Sequence, residues 1–218
     1  MLRADVLDVI NSGQAWCFVG AGVSADAGLP SWGQLLHRVR EAVDGLTPTV
    51  PVDSEILEQA VATGNLPLAF QILEESFGRS TLTGAVQASI ESRLPGPLGE
   101  MVIDLPFAGY ITSNYDRLLE TGLANRPGWV SVGNSGSEVR KVSGDVQNLV
   151  WHLHGDETMT EDRSHLVITR SDYDSLYLDE APAMKQLQGL LSHRRIVFLG
   201  FSFVDDDLVA LLKRVGRL

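Results

Sequence analysis

Four short stretches of the sequence carry residue types that bind nucleotides, hold hydroxyl groups or move protons. In chain order they contain Gly20-Ala21-Gly22-Val23-Ser24, then Asn114 and Asp116, then His152 and His154, and finally Gly200 and Ser202. Glycine lets a ligand approach the backbone closely, an amide both donates and accepts hydrogen bonds, and a histidine near its usual pKa takes up a proton at neutral pH. These residue types are typical of a site that binds a nucleotide and transfers a proton.

The glycine-rich stretch lies between an apolar run, Ala15-Trp16-Cys17-Phe18-Val19, and a helix-like pattern that begins near Gln34. This order predicts a strand, a tight turn and a helix, in which backbone N–H groups approach a pyrophosphate at the positive end of the helix. A Cβ atom at Gly20 or Gly22 would collide with the turn or with the ligand. The G-x-G-x-x-A match alone is weak, because a tight strand-to-helix turn without a ligand gives the same pattern.

Asn114 and Asp116 follow the apolar run Tyr110-Ile111-Thr112, at the point where a helix is predicted to begin. Ligands of open α/β sheets bind at the carboxyl ends of the strands, so both side chains are candidates for a binding site. Asp116 has a second interpretation, because an aspartate directly before Arg117-Leu118-Leu119 is also a good helix N-cap.

His152 and His154 lie in the run Val150-Trp151-His152-Leu153-His154-Gly155, where strand alternation places both imidazoles on one face. The alternation does not choose between them, but His154 is the last residue before Gly155 and is better placed to face a ligand. A metal site is the alternative, since imidazole is a common metal ligand. The sequence offers no cysteine or obvious third ligand beside the pair, so we predict no metal.

Gly200 and Ser202 follow the fully apolar run Ile196-Val197-Phe198-Leu199, and they offer a close backbone approach and a hydroxyl at a strand end. The acidic run that comes next, Asp205-Asp206-Asp207, would stabilise a helix N-terminus whatever the function.

Apolar runs that alternate with helical patterns predict an α/β fold with a mainly parallel sheet. The predicted strands are Trp16–Val19, Gly109–Thr112, Trp129–Val132, Leu149–Leu153, His165–Ile168 and Ile196–Leu199. The predicted helices are Leu2–Ile10, Trp32–Val43, Arg117–Thr121, Ala183–Ser192 and Asp206–Arg214. Residues 53–93 show short helical patterns and no strand pattern, which predicts a helical module inserted between the first two strands; 133–138 is predicted as a loop or hairpin tip.

The composition is that of a globular domain, with 218 residues of which 44% are hydrophobic and 21% charged. The formal net charge of −11 argues against direct nucleic-acid binding by this chain, because such surfaces are basic. The sequence has no apolar run long enough to span a membrane and no signal peptide. The single cysteine, Cys17, lies in an apolar strand pattern and is predicted to be a packed core thiol. We expect a soluble, cytoplasmic protein without membrane contact.

In this order, Gly-Ala-Gly-x-Ser-x-x-x-Gly-Leu-Pro, Thr-Ser-Asn-Tyr-Asp, Leu-His-Gly and Gly-Phe-Ser-Phe resemble the motifs of the sirtuin superfamily, and most closely its bacterial SIR2-like branch. The resemblance spans about residues 14–210, and four motifs in one order are far more specific than any one of them. It implies a Rossmann-like, NAD-binding domain over residues 1–218, with helices on both faces of the sheet and the small helical module inserted at 53–93.

The resemblance also implies roles for individual residues. Gly20, Ala21, Gly22 and Ser24 match the phosphate-binding turn; Asp26, Pro30 and Trp32 are assigned to NAD binding; and Gly200 and Ser202 match residues near the adenosine ribose. Asn114 matches the asparagine that positions the nicotinamide ribose and a water molecule. Asp116 matches the aspartate beside the nicotinamide, and His154 matches the general base.

Two departures separate this sequence from the sirtuin deacetylases. Their four-cysteine zinc module is absent, because Cys17 is the single cysteine, and Gly33 replaces the arginine of their Gly-Ile-Pro-Asp-Phe-Arg run. SIR2-like proteins that lack zinc resemble the NAD hydrolases of bacterial antiphage defence. The resemblance therefore implies an NAD glycohydrolase that cleaves NAD to nicotinamide and ADP-ribose. Hydrolysis suits these groups, since nicotinamide leaves as a neutral molecule and needs no strong general acid.

Two other functions stay open: NAD-dependent protein deacylation, and a module that senses NAD or ADP-ribose without cleaving it. SIR2-like domains often extend further or assemble with a sensor. The chain is accordingly expected to be a fragment, the N-terminal part of a longer protein, or a subunit, and to be weakly active or inactive when isolated. Its expected partners are further copies of itself or an Argonaute-like, helicase-like or nucleotide-sensing protein.

Overall fold

The computed structural model describes residues 4–90, 93–143, 145–158, 165–178, 180–201 and 206–214. Within these residues, five strands form one parallel sheet in the order β3-β4-β2-β1-β5. They are β1 (Trp16–Val19), β2 (Gly109–Thr112), β3 (Val130–Val132), β4 (Leu149–His152) and β5 (Ile196–Leu199). Thr112 lies opposite both Val19 and His152, and Val19 lies opposite Leu199, so four neighbouring strands end at the same level. All four motifs of the sequence begin at this one edge of the sheet.

Twelve helices accompany the sheet in the described residues. They are α1 (Ala4–Asn11), α2 (Ala21–Asp26), α3 (Trp32–Val43), α4 (Ser54–Ala62), α5 (Leu66–Phe77), α6 (Arg79–Ser89), α7 (Pro97–Asp104), α8 (Leu118–Leu123), α9 (Gly136–Val139), α10 (Arg170–Leu176), α11 (Pro182–His193) and α12 (Asp206–Arg214). Among them, none is both long enough and apolar enough to cross a membrane.

Helices cover both faces of the sheet, because successive side chains of each buried strand point to opposite sides. Trp16 and Phe18 of β1 belong to a core cluster that also contains apolar side chains of α11 and α12. Cys17 and Val19, the alternate residues of the same strand, belong to a second cluster with α1, α7 and α8. The predicted Rossmann-like α/β fold is therefore confirmed, and burial raises the pKa of the Cys17 thiol as expected for a core cysteine.

A third core cluster joins α3 to α4, α5 and α6, which follow one another in the chain between β1 and β2. Val39 of α3, Phe70 of α5 and Val86 of α6 are fully buried in it. Residues 53–93 were predicted to form helices, and α4 to α6 lie within that range. That these helices make up a module distinct from the core domain stays a prediction.

The strand predicted at His165–Ile168 is wrong. Leu166, Val167 and Ile168 are buried, but the segment pairs with no strand in the described sheet. Its polar backbone atoms are satisfied differently: the Val167 N–H donates to the His154 carbonyl (2.9 Å), and the Val167 carbonyl accepts from the Tyr115 hydroxyl (2.6 Å). The apolar run correctly predicted that the segment is buried. A buried segment that pairs with no strand has the same short sequence pattern as a buried strand, so the pattern does not distinguish them.

Four helices, α2, α7, α9 and α10, were not predicted. Helix α2 begins at Ala21 inside the glycine-rich stretch, with Gly20 as its N-cap, so the turn after β1 is shorter than expected. Helix α9 replaces part of the loop predicted at 133–138. These two helices have six and four residues, which is too short for an amphipathic period to be read from the sequence.

Candidate active site at the carboxyl end of the sheet

A cavity of about 590 Å³ lies at the carboxyl ends of the strands. Its walls come from the segments that follow β1, β2, β4 and β5 and from the α4–α5 connection at 63–67. Ser24, Asn114, Asp116 and His154 all line it, although they come from three distant parts of the chain. The volume falls in the range of about 300–1,000 Å³ that is usual for sites that enclose a small molecule.

The glycine-rich stretch turns directly from β1 into α2, and its glycines allow the end of β5 to lie against it. The Gly20 N–H donates to the Leu199 carbonyl (2.9 Å), and the Gly22 N–H donates to the Gly200 carbonyl (2.8 Å). A Cβ atom on Gly20 would lie 2.5 Å from the Gly200 oxygen, and one on Gly22 would lie 2.9 Å from it. The collision expected from the sequence is therefore with Gly200, whose φ of +65° favours glycine.

Ser24, Asn114 and Asp116 form one hydrogen-bond network on the cavity wall. The Ser24 hydroxyl donates to Asp116 Oδ2 (2.6 Å) and accepts from Asn114 Nδ2 (2.8 Å). Asp116 Oδ1 accepts from the Leu118 N–H (3.2 Å), so this residue both faces the cavity and supports the first turn of α8. Burial raises the pKa of the Asp116 carboxyl, and the hydrogen bonds from Ser24 and Leu118 partly oppose that rise.

Asn114 is fixed through its backbone and through its side-chain amide. Both amide hydrogens are used inside the protein, on the Gly20 carbonyl (3.1 Å) and on the Ser24 hydroxyl (2.8 Å). The Asn114 backbone N–H donates to Thr112 Oγ1 (3.0 Å), which itself donates to the Val19 carbonyl (2.9 Å). The side-chain group that this arrangement leaves for a ligand is the oxygen Oδ1, which accepts hydrogen bonds. Asn114 is therefore suited to hold a hydroxyl group or a water molecule by its proton.

His154 lines the cavity and packs against two aromatic side chains. Its side chain is almost completely buried, with Nε2 2.9 Å from the Tyr177 hydroxyl. The ring centroid lies 5.1 Å from that of Tyr173 and 5.9 Å from that of Tyr177, both edge-on. Of the two histidines that the sequence placed on one strand face, His154 is thus the one that the structure brings to the cavity.

His152 is fully buried behind Asn114. Its Nδ1 lies 3.2 Å from the Asn114 carbonyl oxygen, and its Nε2 lies 2.7 Å from Glu120 Oε1. Burial lowers the pKa of His152, but the charge of Glu120 and the hydrogen bond to it outweigh burial and raise the pKa to about 9. Burial likewise raises the pKa of Glu120, and His152 outweighs that effect and holds it at about 2. The two side chains form a buried ion pair.

Glu120, His152 and Asp156 are the residues to consider for a metal ion, because within the described ranges their ligand atoms all lie within 4.8 Å of one another. The His152 Nε2–Glu120 Oε1 separation of 2.7 Å is that of a hydrogen bond. Two ligand atoms that share one zinc ion lie roughly 3 Å or more apart. Asp156 Oδ1 accepts from the N–H and the hydroxyl of Thr158, each at 2.8 Å. In the structure His152 and Glu120 form an ion pair and Asp156 caps a loop through Thr158; that the protein holds no metal stays a prediction.

The remaining predicted binding residues fall into three groups. Ala21, Pro30 and Trp32 line the cavity. The structure does not bring Asp26 to it, because Asp26 Oδ2 accepts from the Leu98 N–H (2.8 Å) in the first turn of α7. Ser202 lies outside the described residues.

Among the residues at the site that were not predicted are Arg170, Tyr173 and Tyr177. Arg170 and Tyr173 of α10 line the cavity, and Tyr177 follows that helix. A signal for them was present in the sequence, because Thr169 and Asp172 have the spacing of a capping box. In the structure the Asp172 N–H donates to Thr169 Oγ1 (3.3 Å), and Asp172 Oδ2 accepts from the Thr169 N–H (2.9 Å). That start would have placed both tyrosines on one side of a helix, four residues apart.

Comparison with known proteins gives two kinds of match. A family model described as a SIR2-like domain matches residues 108–218. Proteins named NAD(+) hydrolase ThsA from Acinetobacter baumannii (strain 532279) and Enterococcus faecium are each 30% identical to the chain, over 91% and 95% of its length. Defense-associated sirtuin 2 of Bacillus subtilis is 24% identical over 98% of the chain. The chain spans 38% and 41% of the length of the two hydrolases and 20% of the length of the Bacillus subtilis protein.

Proposed function

The chain belongs to the family of SIR2-like domains, and we propose that it is an NAD glycohydrolase, which releases nicotinamide from NAD and leaves ADP-ribose. The observation that carries the proposal is the meeting of Ser24, Asn114, Asp116 and His154 in one cavity. The names of the two hydrolases that align with nearly the whole chain support the same reaction.

The proposed reaction breaks the bond between C1′ of the ribose and the nicotinamide nitrogen. Nicotinamide is cationic in NAD and departs as a neutral molecule, so positive charge develops on the ribose rather than on the leaving group. Within the described lining of the cavity, Asp116 is the one acidic side chain, and a carboxylate there would stabilise this charge. Water then bonds to C1′ and its proton passes to His154, the proposed general base.

Asn114 is proposed to orient the ribose or the attacking water through Oδ1. The support is that its amide hydrogens are already bonded to Gly20 and Ser24, which leaves an acceptor with a fixed direction. The phosphates are proposed to lie between the turn at Ala21 and the guanidinium of Arg170, the one cationic side chain in the described lining.

We also propose that turnover in the cell is controlled by protein outside this chain and that the activity serves antiphage defence by depleting NAD. The chain spans about two fifths of the length of the hydrolases that it matches, and the Bacillus subtilis relative is named for defence. The proposed controlling partner is a further copy of the chain or an Argonaute-like, helicase-like or nucleotide-sensing protein or domain.

The test is the release of nicotinamide from NAD, followed by chromatography with the purified protein alone and with the products of its neighbouring genes. His154→Ala and Asn114→Ala should each lower turnover, and the loss of the general base should cost about 10²–10⁴-fold. His37→Ala is the matched control, because His37 is an exposed histidine on α3 that pairs with Glu41 and does not line the cavity.

Full turnover by the His154→Ala variant under activating conditions would contradict the role of His154. Tight binding of NAD without any product, in every assembly tested, would favour the sensing module instead. NAD-dependent loss of acetyl groups from a peptide would favour the deacylase.

A further inference from the structure

We infer that His152 is a positioning residue for Asn114: a buried imidazolium that donates to the Asn114 backbone carbonyl, with Glu120 as its fixed counter-ion. The inference rests on the proposed function, in which Asn114 contacts the substrate. His152 itself does not reach the cavity, since it is fully buried behind the loop that carries Asn114.

The two partners of His152 determine where its protons lie. The atom 3.2 Å from Nδ1 is the Asn114 carbonyl oxygen, which accepts hydrogen bonds and cannot donate one. The atom 2.7 Å from Nε2 is Glu120 Oε1, which also accepts from the Ser131 hydroxyl (2.7 Å). A ring that donates to both partners carries two protons and one positive charge. The carboxylate of Glu120 balances that charge inside the protein.

Four acidic groups interact electrostatically with His152 in the described part of the chain, and one further titratable side chain, His154, lies two residues along the chain. Glu120 comes from α8, Asp116 follows β2, and Asp156 and Glu157 follow β4. Glu120 and Asp156 both raise the pKa of His152, and it stands at about 9 although burial lowers it. Glu120 Oε2 and Asp156 Oδ2 are also buried without a hydrogen-bond partner among the described residues, and an imidazolium beside them compensates their negative charge.

The contact at the carbonyl completes the set of bonds that hold Asn114. Thr112 accepts from its backbone N–H, Gly20 and Ser24 accept from its side-chain amide, and His152 donates to its backbone carbonyl. Without the last of these, the Asn114 backbone can shift at Cα, and the side-chain amide then has to tilt on its bonds to Gly20 and Ser24, which redirects Oδ1. A displacement of about 1 Å in a group that orients a reactant costs on the order of 10²-fold in rate.

Deprotonation of His152 would turn the hydrogen bond to the Asn114 carbonyl into a repulsive contact. The remaining proton stays on Nε2, where a carboxylate accepts it at 2.7 Å, and Nδ1 then turns a lone pair toward the Asn114 carbonyl. The imidazolium exists below its pKa and is lost above it, so kcat should fall as the pH rises through about 9. Glu120→Gln should remove this loss, because the glutamine amide can donate to Nε2 and leave the proton of a neutral ring on Nδ1.

The experiment measures kcat and KM for nicotinamide release by the full protein, on both sides of pH 9, for wild type, His152→Phe and Glu120→Gln. His152→Phe should lower kcat by about 10²-fold, with a smaller change in KM. Wild type should lose activity through about pH 9, whereas Glu120→Gln should stay close to the neutral-pH rate of wild type and keep it above that pH. Tyr110→Phe is the matched control: it loses a buried bond to a backbone carbonyl, that of Val102 (3.1 Å), away from the cavity.

A folded His152→Phe variant with the kcat of wild type overturns the inference, and so does an alkaline loss that Glu120→Gln leaves in place. If His152→Phe does not fold, the pH dependence of kcat in Glu120→Gln tests the inference by itself. If wild type releases no nicotinamide in any assembly, the proposed function fails, and the positioning role is then read by NMR. The side-chain amide resonances of Asn114 should shift through about pH 9 in wild type and not in Glu120→Gln. If the Asn114 resonances respond neither to the pH change nor to the Glu120→Gln substitution, the positioning role of His152 is wrong.

Discussion

Ser24 connects two of the proposed catalytic residues to each other. Its hydroxyl donates to the Asp116 carboxylate and at the same time accepts from the Asn114 amide. A hydroxyl performs both tasks because it has one hydrogen and two lone pairs. The residue is 6% exposed, so water cannot readily replace either bond. Ser24 thus affects the charge of Asp116 and the orientation of Asn114 without being a proton carrier.

Ser24→Ala should lower kcat/KM for NAD hydrolysis by about 10- to 100-fold, the equivalent of one hydrogen bond to a charged group. The measurement is initial-rate nicotinamide release at neutral pH. Ser76→Ala is the control, because Ser76 is also buried, on α5, but does not line the cavity. Equal rates for both variants would show that the Ser24 network has no part in the reaction.

The ends of β1 and β5 depend on each other through backbone contacts. Gly20 and Gly22 lie so close to Gly200 that no side chain fits between the turn into α2 and the residue after β5. In consequence the first and last motifs of the sequence form one structural unit at the sheet edge, although about 180 residues separate them. Overpacking at such a contact displaces backbone, because neither partner has a flexible side chain that can move away.

Gly20→Ala should destabilise the fold by about 1–3 kcal/mol and lower the Tm by several degrees, at roughly 2–4 °C per kcal/mol for a chain of this size. Gly189→Ala should do the opposite. Gly189 lies within α11 and a Cβ there would meet nothing within 4 Å. Alanine is favoured over glycine in a helix by about 0.5–1 kcal/mol.

Differential scanning calorimetry of the two variants, together with their NADase rates, makes the comparison. We expect Gly20→Ala to lose activity beyond its loss of folded protein, since Gly20 O accepts from Asn114 Nδ2. A Gly20→Ala protein as stable as wild type would refute the close contact with Gly200.

The cavity lies between the sheet edge and the helices that follow β1, and Arg79 holds those helices in place. Its guanidinium on α6 contacts Glu74 of α5 (2.7 Å), Asp172 of α10 (2.7 Å) and the Leu166 carbonyl (2.5 Å). Residues 63–67 of the same helical region form one wall of the cavity, and α10 supplies Arg170 and Tyr173 to another. Arg79 therefore ties together two walls that are far apart in sequence.

Arg79→Met should raise KM for NAD more than it lowers kcat, because the catalytic network at the sheet edge stays in place while the cavity walls separate. It should also lower stability by about 1–3 kcal/mol, since two partly buried carboxylates and a carbonyl lose their donor. Arg40→Met is the matched control: Arg40 also joins two helices, through Glu58 (2.7 Å), but in an exposed pair worth about 0–1 kcal/mol. A KM unchanged in Arg79→Met would mean that these walls do not hold the substrate.

The sheet was predicted well because its information is local. Strands β1, β2 and β5 have the predicted bounds, and β3 and β4 differ by one residue, since each is a short, largely apolar run with a glycine or a polar residue at or just after its end. The same local reasoning failed at His165–Ile168, where the backbone bonds to His154 and Tyr115 rather than to a strand. An apolar run records that a segment is buried and not what its backbone pairs with.

The four motifs and their order were readable from the sequence, because parallel strands that end at one level bring the residues after them to one edge. The sequence could not distinguish the roles of His152 and His154, since strand alternation places both on one face. Their contacts in the folded chain distinguish them: His152 contacts Glu120 of α8, and His154 contacts Tyr177, which follows α10. The sequence also could not show that Asp26 supports α7 instead of the cavity. Side-chain types and strand ends are local properties, whereas which imidazole contacts a carboxylate and which lines the cavity depends on neighbours that only the folded chain brings together.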